Sequence, residues 1–83
     1  MAAQDPETVW VGLSDTGTSA GLFLAVVTSE DTVALTNFTD ILHVYVINLS
    51  DNSVATATTT TNVVKITEAG LTTAKILIFA QGT

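Results

Sequence analysis

The residues of this chain best suited to chemistry are Asp15, Thr16 and Gly17, followed directly by Thr18 and Ser19. A carboxylate in such a loop can act as half of a pair. Two carboxylates that share one proton divide the work, one activating water while the other protonates a leaving group. The overlapping string Gly17-Thr18-Ser19-Ala20-Gly21 has the spacing of a nucleophile turn, in which Ser19 would attack with a histidine as base. That turn requires a strand running into a helix beneath an α/β sheet. His43 is the one histidine, and it lies in a run of β-forming residues beside Val44, where a part-buried strand position is expected. The other acids lack the spacing of metal ligands. Cysteine is absent, Glu30-Asp31 reads as a turn, and Asp51-Asn52 has none of the later ligands of a calcium loop. No cofactor or metal is expected.

The Asp15-Thr16-Gly17 loop resembles the active-site loop of retroviral-type aspartic proteases, which are small, all-β and dimeric. That resemblance implies Asp15 as the catalytic carboxylate, with Thr16 and Gly17 shaping the loop. In this chain Ser14 stands where the family has an apolar residue, and no glycine-rich flap follows. The fourteen residues before the motif leave no room for the family's preceding hairpins. The family's apolar segment near the C-terminus is matched only loosely by Phe79-Ala80-Gln81-Gly82. Clusters of Asp, Thr, Gly and Ser are the composition of an ordinary loop. The expectation is therefore a protein that is not an enzyme.

Elements that would position any site must be drawn from 83 residues, enough for one domain. Size scaling gives a folded surface of roughly 4,700 Å² and a single thin core. Hydrophobic residues make up 47% and charged residues 12%, which excludes disorder by low hydrophobicity and high charge. The net charge is −6. Asp5, Glu7, Asp15, Glu30, Asp31 and Asp40 fall in the first fifty residues without a Lys or Arg, whereas Lys65 and Lys75 balance Asp51 and Glu68 later. No basic footprint for phosphate exists, so neither nucleic acid nor an anionic membrane is an expected partner. Apolar runs reach about seven residues, short of the roughly 20 that span a bilayer.

Sixteen of the 83 residues are threonine and fifteen are valine or isoleucine, and turn clusters recur at short intervals, as in a strand-rich chain. Runs suited to strands are Val9–Leu13, Leu22–Thr28, Thr32–Thr36, Ile41–Leu49, Val54–Thr61, Asn62–Thr67 and Ala74–Gln81. The fold expected is all-β, a small antiparallel sandwich or barrel of about six to seven short strands, with one domain over 8–83. Residues 1–7 are too polar to join a core and are expected to form an arm that orders on a partner.

Alternation within the runs separates two kinds of strand. Val64 and Ile66 oppose Val63, Lys65 and Thr67, so one side of that strand is wet. In Ile41–Leu49 and Ala74–Gln81 both faces are mostly apolar. A domain this small cannot cover two layers on both sides, so the second face is expected to meet another chain. Val44, Val46, Ile66, Ile76, Ile78 and Phe79 are the expected core. Trp10, Ile41, Tyr45, Ile47, Leu77 and Phe79 are the expected interface, with Phe79 counted in both sets.

The segment Val63-Val64-Lys65-Ile66-Thr67-Glu68-Ala69-Gly70-Leu71, continuing through Thr72-Thr73-Ala74-Lys75-Ile76-Leu77-Ile78-Phe79-Ala80, resembles the strand–turn–strand endings of small tailed-phage head proteins, including decoration or cement proteins. That resemblance implies a non-enzymatic virion protein made in the host cytoplasm and carried on the capsid surface. It also implies a symmetric homo-oligomer, with a trimer favoured, whose partner is the major capsid protein or another virion protein.

Overall fold

The structure is a computed structural model that describes residues 2–12 and 18–83, together with the backbone but not the side chain of Leu13. Among these residues the chain forms nine strands: β1 (Ala3–Gln4), β2 (Glu7–Leu13), β3 (Ser19–Val27), β4 (Thr32–Ala34), β5 (Ile41–Asn48), β6 (Ser53–Ala55), β7 (Ala57–Thr60), β8 (Val63–Ile66) and β9 (Ala74–Gly82). They build two sheets, ordered β1-β4-β8-β7 and β2-β3-β9-β5-β6. The sheets pack in a sandwich-like arrangement and not as a closed barrel. All pairings are antiparallel except β1 with β4.

The count exceeds the expected six to seven for two reasons. First, the run Val54–Thr61 divides at Thr56 between the two sheets, with β6 on β5 and β7 on β8. Thr56 is held at this corner from the 67–68 loop. Its N–H donates to Glu68 Oε1 at 3.1 Å, and its carbonyl accepts from the N–H groups of Thr67 and Glu68. Neither Gly nor Pro marks the break, so composition does not reveal it.

Second, residues 3–4 of the expected arm form β1 and lie on the body of the domain. Asp31 secures this docking: its carboxylate accepts from Thr28 N–H at 2.9 Å, from Ala2 N–H at 3.0 Å and from Gln4 Nε2 at 3.0 Å. Glu30, which precedes it, takes a positive φ of 75° in the same turn. The Thr28 N–H, the Gln4 amide and the Ala2 N–H together hold the Asp31 carboxyl below its ordinary range, against the opposing effect of burial. A depressed folded value means the stabilisation is present at neutral pH and is lost as pH falls through about 4 and below. Acidification is expected to release β1 before the sandwich unfolds. Hydrogen exchange at Ala2 and Thr32 N–H, the latter bonded to Ala2 O at 2.8 Å, should accelerate in acid relative to β9. In Asp31→Ala that acid-dependent difference should vanish, with β1 already loose at neutral pH.

The core lies between the sheets and is made by Phe23, Ala25 and Val27 of β3, Ile76, Ile78 and Ala80 of β9, Val46 of β5, and Val33, Val64 and Ile66 of the opposite sheet. Leu35, Phe38 and Leu71 close it from the connections. Four of the expected core residues, Val46, Ile66, Ile76 and Ile78, are buried there, and Val44 packs against the cluster half-buried. Phe79 does not belong to the core. It alternates with Ile78 and Ala80 along β9, and its parity sends it to the outer side, where 46% of it is exposed. The total surface is 4739 Å², the size expected of a fully compact chain of this mass. Further collapse of this chain therefore cannot cover what remains exposed.

Candidate functional site

The outer faces of the two sheets differ sharply. On the four-stranded sheet, Thr32, Lys65 and Thr58 stand opposite one another in one cross-strand row, and Ala34, Val63 and Thr60 in the next. Lys65 also pairs with Glu30 at 3.1 Å. This is a wet face of the usual kind.

On the five-stranded sheet the outward rows are apolar. Trp10, Leu22, Phe79 and Tyr45 form a row across β2, β3, β9 and β5. The neighbouring row runs Glu7, Leu24, Leu77, Ile47, Val54 and reaches β6. Val26 and Lys75 follow, with Leu49 beyond them, its N–H bonded to Lys75 O at 2.9 Å. Directly opposed antiparallel residues point to one side of a sheet, so these side chains make a continuous surface. Trp10 is 52% exposed and Tyr45 51%; Val26, Val54 and Leu49 are exposed as well. Among the described residues no loop folds over the face to cover these side chains.

Local structure explains how Trp10 arrives there. The β2–β3 register shifts between Thr8 and Trp10, leaving Val9 as a bulge. Trp10 then shares its side of the sheet with Gly12, and its indole lies on that glycine: a Cβ at position 12 would meet Trp10 Cζ2 at 2.5 Å. The glycine gives the ring a flat seat on the sheet.

Five of the six residues expected at an interface, Trp10, Tyr45, Ile47, Leu77 and Phe79, stand together on this face. Ile41 does not. A register shift between Ile41 and His43 places one extra residue in β5, and an extra residue reverses parity. Ile41 is consequently buried in the core. Leu22, Leu24, Val26, Val54 and Leu49 belong to the face and were not anticipated. The signal for three of them is in the run Leu22–Thr28, where Leu22, Leu24 and Val26 alternate with Phe23, Ala25 and Val27 and both sets are apolar.

His43 lies opposite Gln81 at the margin of the face and is exposed rather than part-buried. Asp15, Thr16 and Gly17 lie outside the described residues. Ser19 opens strand β3 and not a helix, which removes the geometry a nucleophile turn requires. Among the described residues no group of three or more His, Cys, Asp or Glu could hold a metal ion. An open hollow of about 290 Å³ lies at one corner of the apolar face, lined by Gln4, Asp5, Glu7, Leu24, Ala25, Val26 and Lys75. Within the rows themselves Glu7 and Lys75 are the formal charges, and they cancel.

The chain matches no protein-family model, no curated protein and no solved structure.

Proposed function

We propose that this chain is a non-catalytic structural protein of the virion, of the capsid decoration or cement type. It binds the major capsid protein or another virion protein as a symmetric homo-oligomer and reinforces the lattice from the outside. The observation that carries this reading is the outer face of β2-β3-β9-β5-β6, an aromatic and aliphatic surface near the upper end of what a single chain exposes, where such patches are often functional. Its composition suits protein contact: Phe79 at the centre with Trp10 and Tyr45 to either side, and charges at the margin. The excess of acid elsewhere suits a position away from packaged nucleic acid.

Co-sedimentation is the test. Incubated with heads of the phage that encodes it, from which surface proteins have been stripped, the chain should pellet at a fixed ratio to the major capsid protein. The loaded heads should rupture at a higher temperature than bare heads. Heads that take up none of the protein would refute the assignment.

A further inference from the structure

We infer that the apolar face of the five-stranded sheet is occupied by a second copy of this chain, packed sheet against sheet about a two-fold axis near β9. The inference takes from the proposed function only that this face is an interface. It then assigns the occupant.

The first argument is electrostatic. A chain of net charge −6 repels its own copies over most of its surface. Of its eight acids, six lie outside the outward rows and Asp15 lies outside the described residues. Within the rows Glu7 and Lys75 cancel, and Asp5 at one corner is the charge left beside them, so two copies can meet over most of this face with little like-charge cost. A face built for a foreign surface has no need to be neutral on so acidic a chain.

The second argument is geometric. β9 is the middle strand of five, and it places Leu77 and Phe79 at the centre of the patch with the exposed apolar residues on both sides. A single patch centred in this way is self-complementary and closes as a pair, whereas a ring of three needs two different patches on each chain. The anchors also lie where contact energy concentrates, in the middle, inside a margin formed by Glu7, Lys75, His43 and Gln81.

The third argument is area. About half of Trp10, Tyr45 and Phe79 is exposed, and with Val26, Val54 and Leu49 the patch offers roughly 500 Å² of apolar surface. Two such patches remove roughly 1,000 Å², the lower bound for a stable specific contact. A pair, and not the trimer implied by resemblance to phage head proteins, is the unit that follows.

Light scattering on the full chain at tens of micromolar should give twice the 8.6 kDa chain mass. Leu77→Lys and Tyr45→Lys should each halve that mass while the far-ultraviolet circular dichroism stays that of the wild type. Tyr45→Lys serves should Leu77→Lys fail to fold. Thr58→Lys, on the outer face of the other sheet, should leave the mass doubled. A wild-type mass of one or three chains would overturn the inference, as would a pair that survives both lysine variants on the apolar face. A pair that ignores phage heads would defeat the proposed function alone, and a single chain that binds them would defeat this inference alone.

Discussion

Phe23→Ala is expected to remove about 3–5 kcal/mol of stability, the range for emptying a fully buried aromatic site. Phe23 has no exposed surface, and its ring meets the edge of Phe38 at a centroid distance of 6.0 Å and an interplanar angle of 70°. It therefore joins β3 to the 35–40 connection as well as to the opposite sheet. A domain of this size has about 4–12 kcal/mol in total, so the variant should sit at the edge of unfolding at 37 °C. Thermal or urea denaturation followed by circular dichroism measures the loss. A change below about 1 kcal/mol would show that Phe23 is not where the core is. Phe79→Ala supplies the contrast, because its cost should grow with protein concentration, as a residue in a contact between chains requires.

Gly82→Ala should be nearly as damaging, for the opposite reason. Gly82 ends β9, opposite Ser19 and Ile41. A Cβ there lands against the carbonyl oxygen of Asp40, well inside van der Waals contact, and 2.9 Å from the Phe38 ring. The same Asp40 carbonyl accepts from Thr83 N–H at 2.9 Å, and Thr39 N–H donates to Thr83 O at 2.7 Å. These bonds hold the 38–40 turn over the end of the sandwich. One methyl group forces backbone apart on both sides, and about 1–3 kcal/mol is the usual cost of overpacking. Here backbone and not a side-chain tip must give way, which puts the expected value at the upper end. The slope of urea unfolding should stay constant while its midpoint falls. An unchanged midpoint would mean that the turn is not clamped there.

The fold class could be read from the sequence because alternation and turn residues carry local information, and β8 and β9 follow their patterns residue by residue. The two-sided character of Ile41–Leu49 and Ala74–Gln81 also carried over directly into an exposed face. What could not be read depends on single residues whose effect is not local. One extra residue after Ile41 turns that side chain into the core, and nothing in Ile41-Leu42-His43 marks it. The corner at Thr56 is made by Glu68, twelve residues away, through a hydrogen bond that no composition window contains. The docking of β1 depends on Asp31, which reads as a plain turn residue until its three donors are seen together. Phe79 stands in both the expected core and the expected interface: its size suggests burial, but parity along β9 decides for the outer side.

The outer face of the five-stranded sheet as a contact between two copies is tested most directly by Trp10, the single tryptophan of the chain and part of that face. Its emission and its quenching by acrylamide should be followed from nanomolar to hundreds of micromolar protein. The expected result is blue-shifted emission shielded from acrylamide wherever the pair is populated, moving to the red and becoming quenchable on dilution below the dissociation constant. In Leu77→Lys the red, quenchable signal should persist at every concentration. Wild-type emission that is red and fully quenchable up to hundreds of micromolar would contradict the assignment, since half of the indole would then remain in water as it is in the single chain.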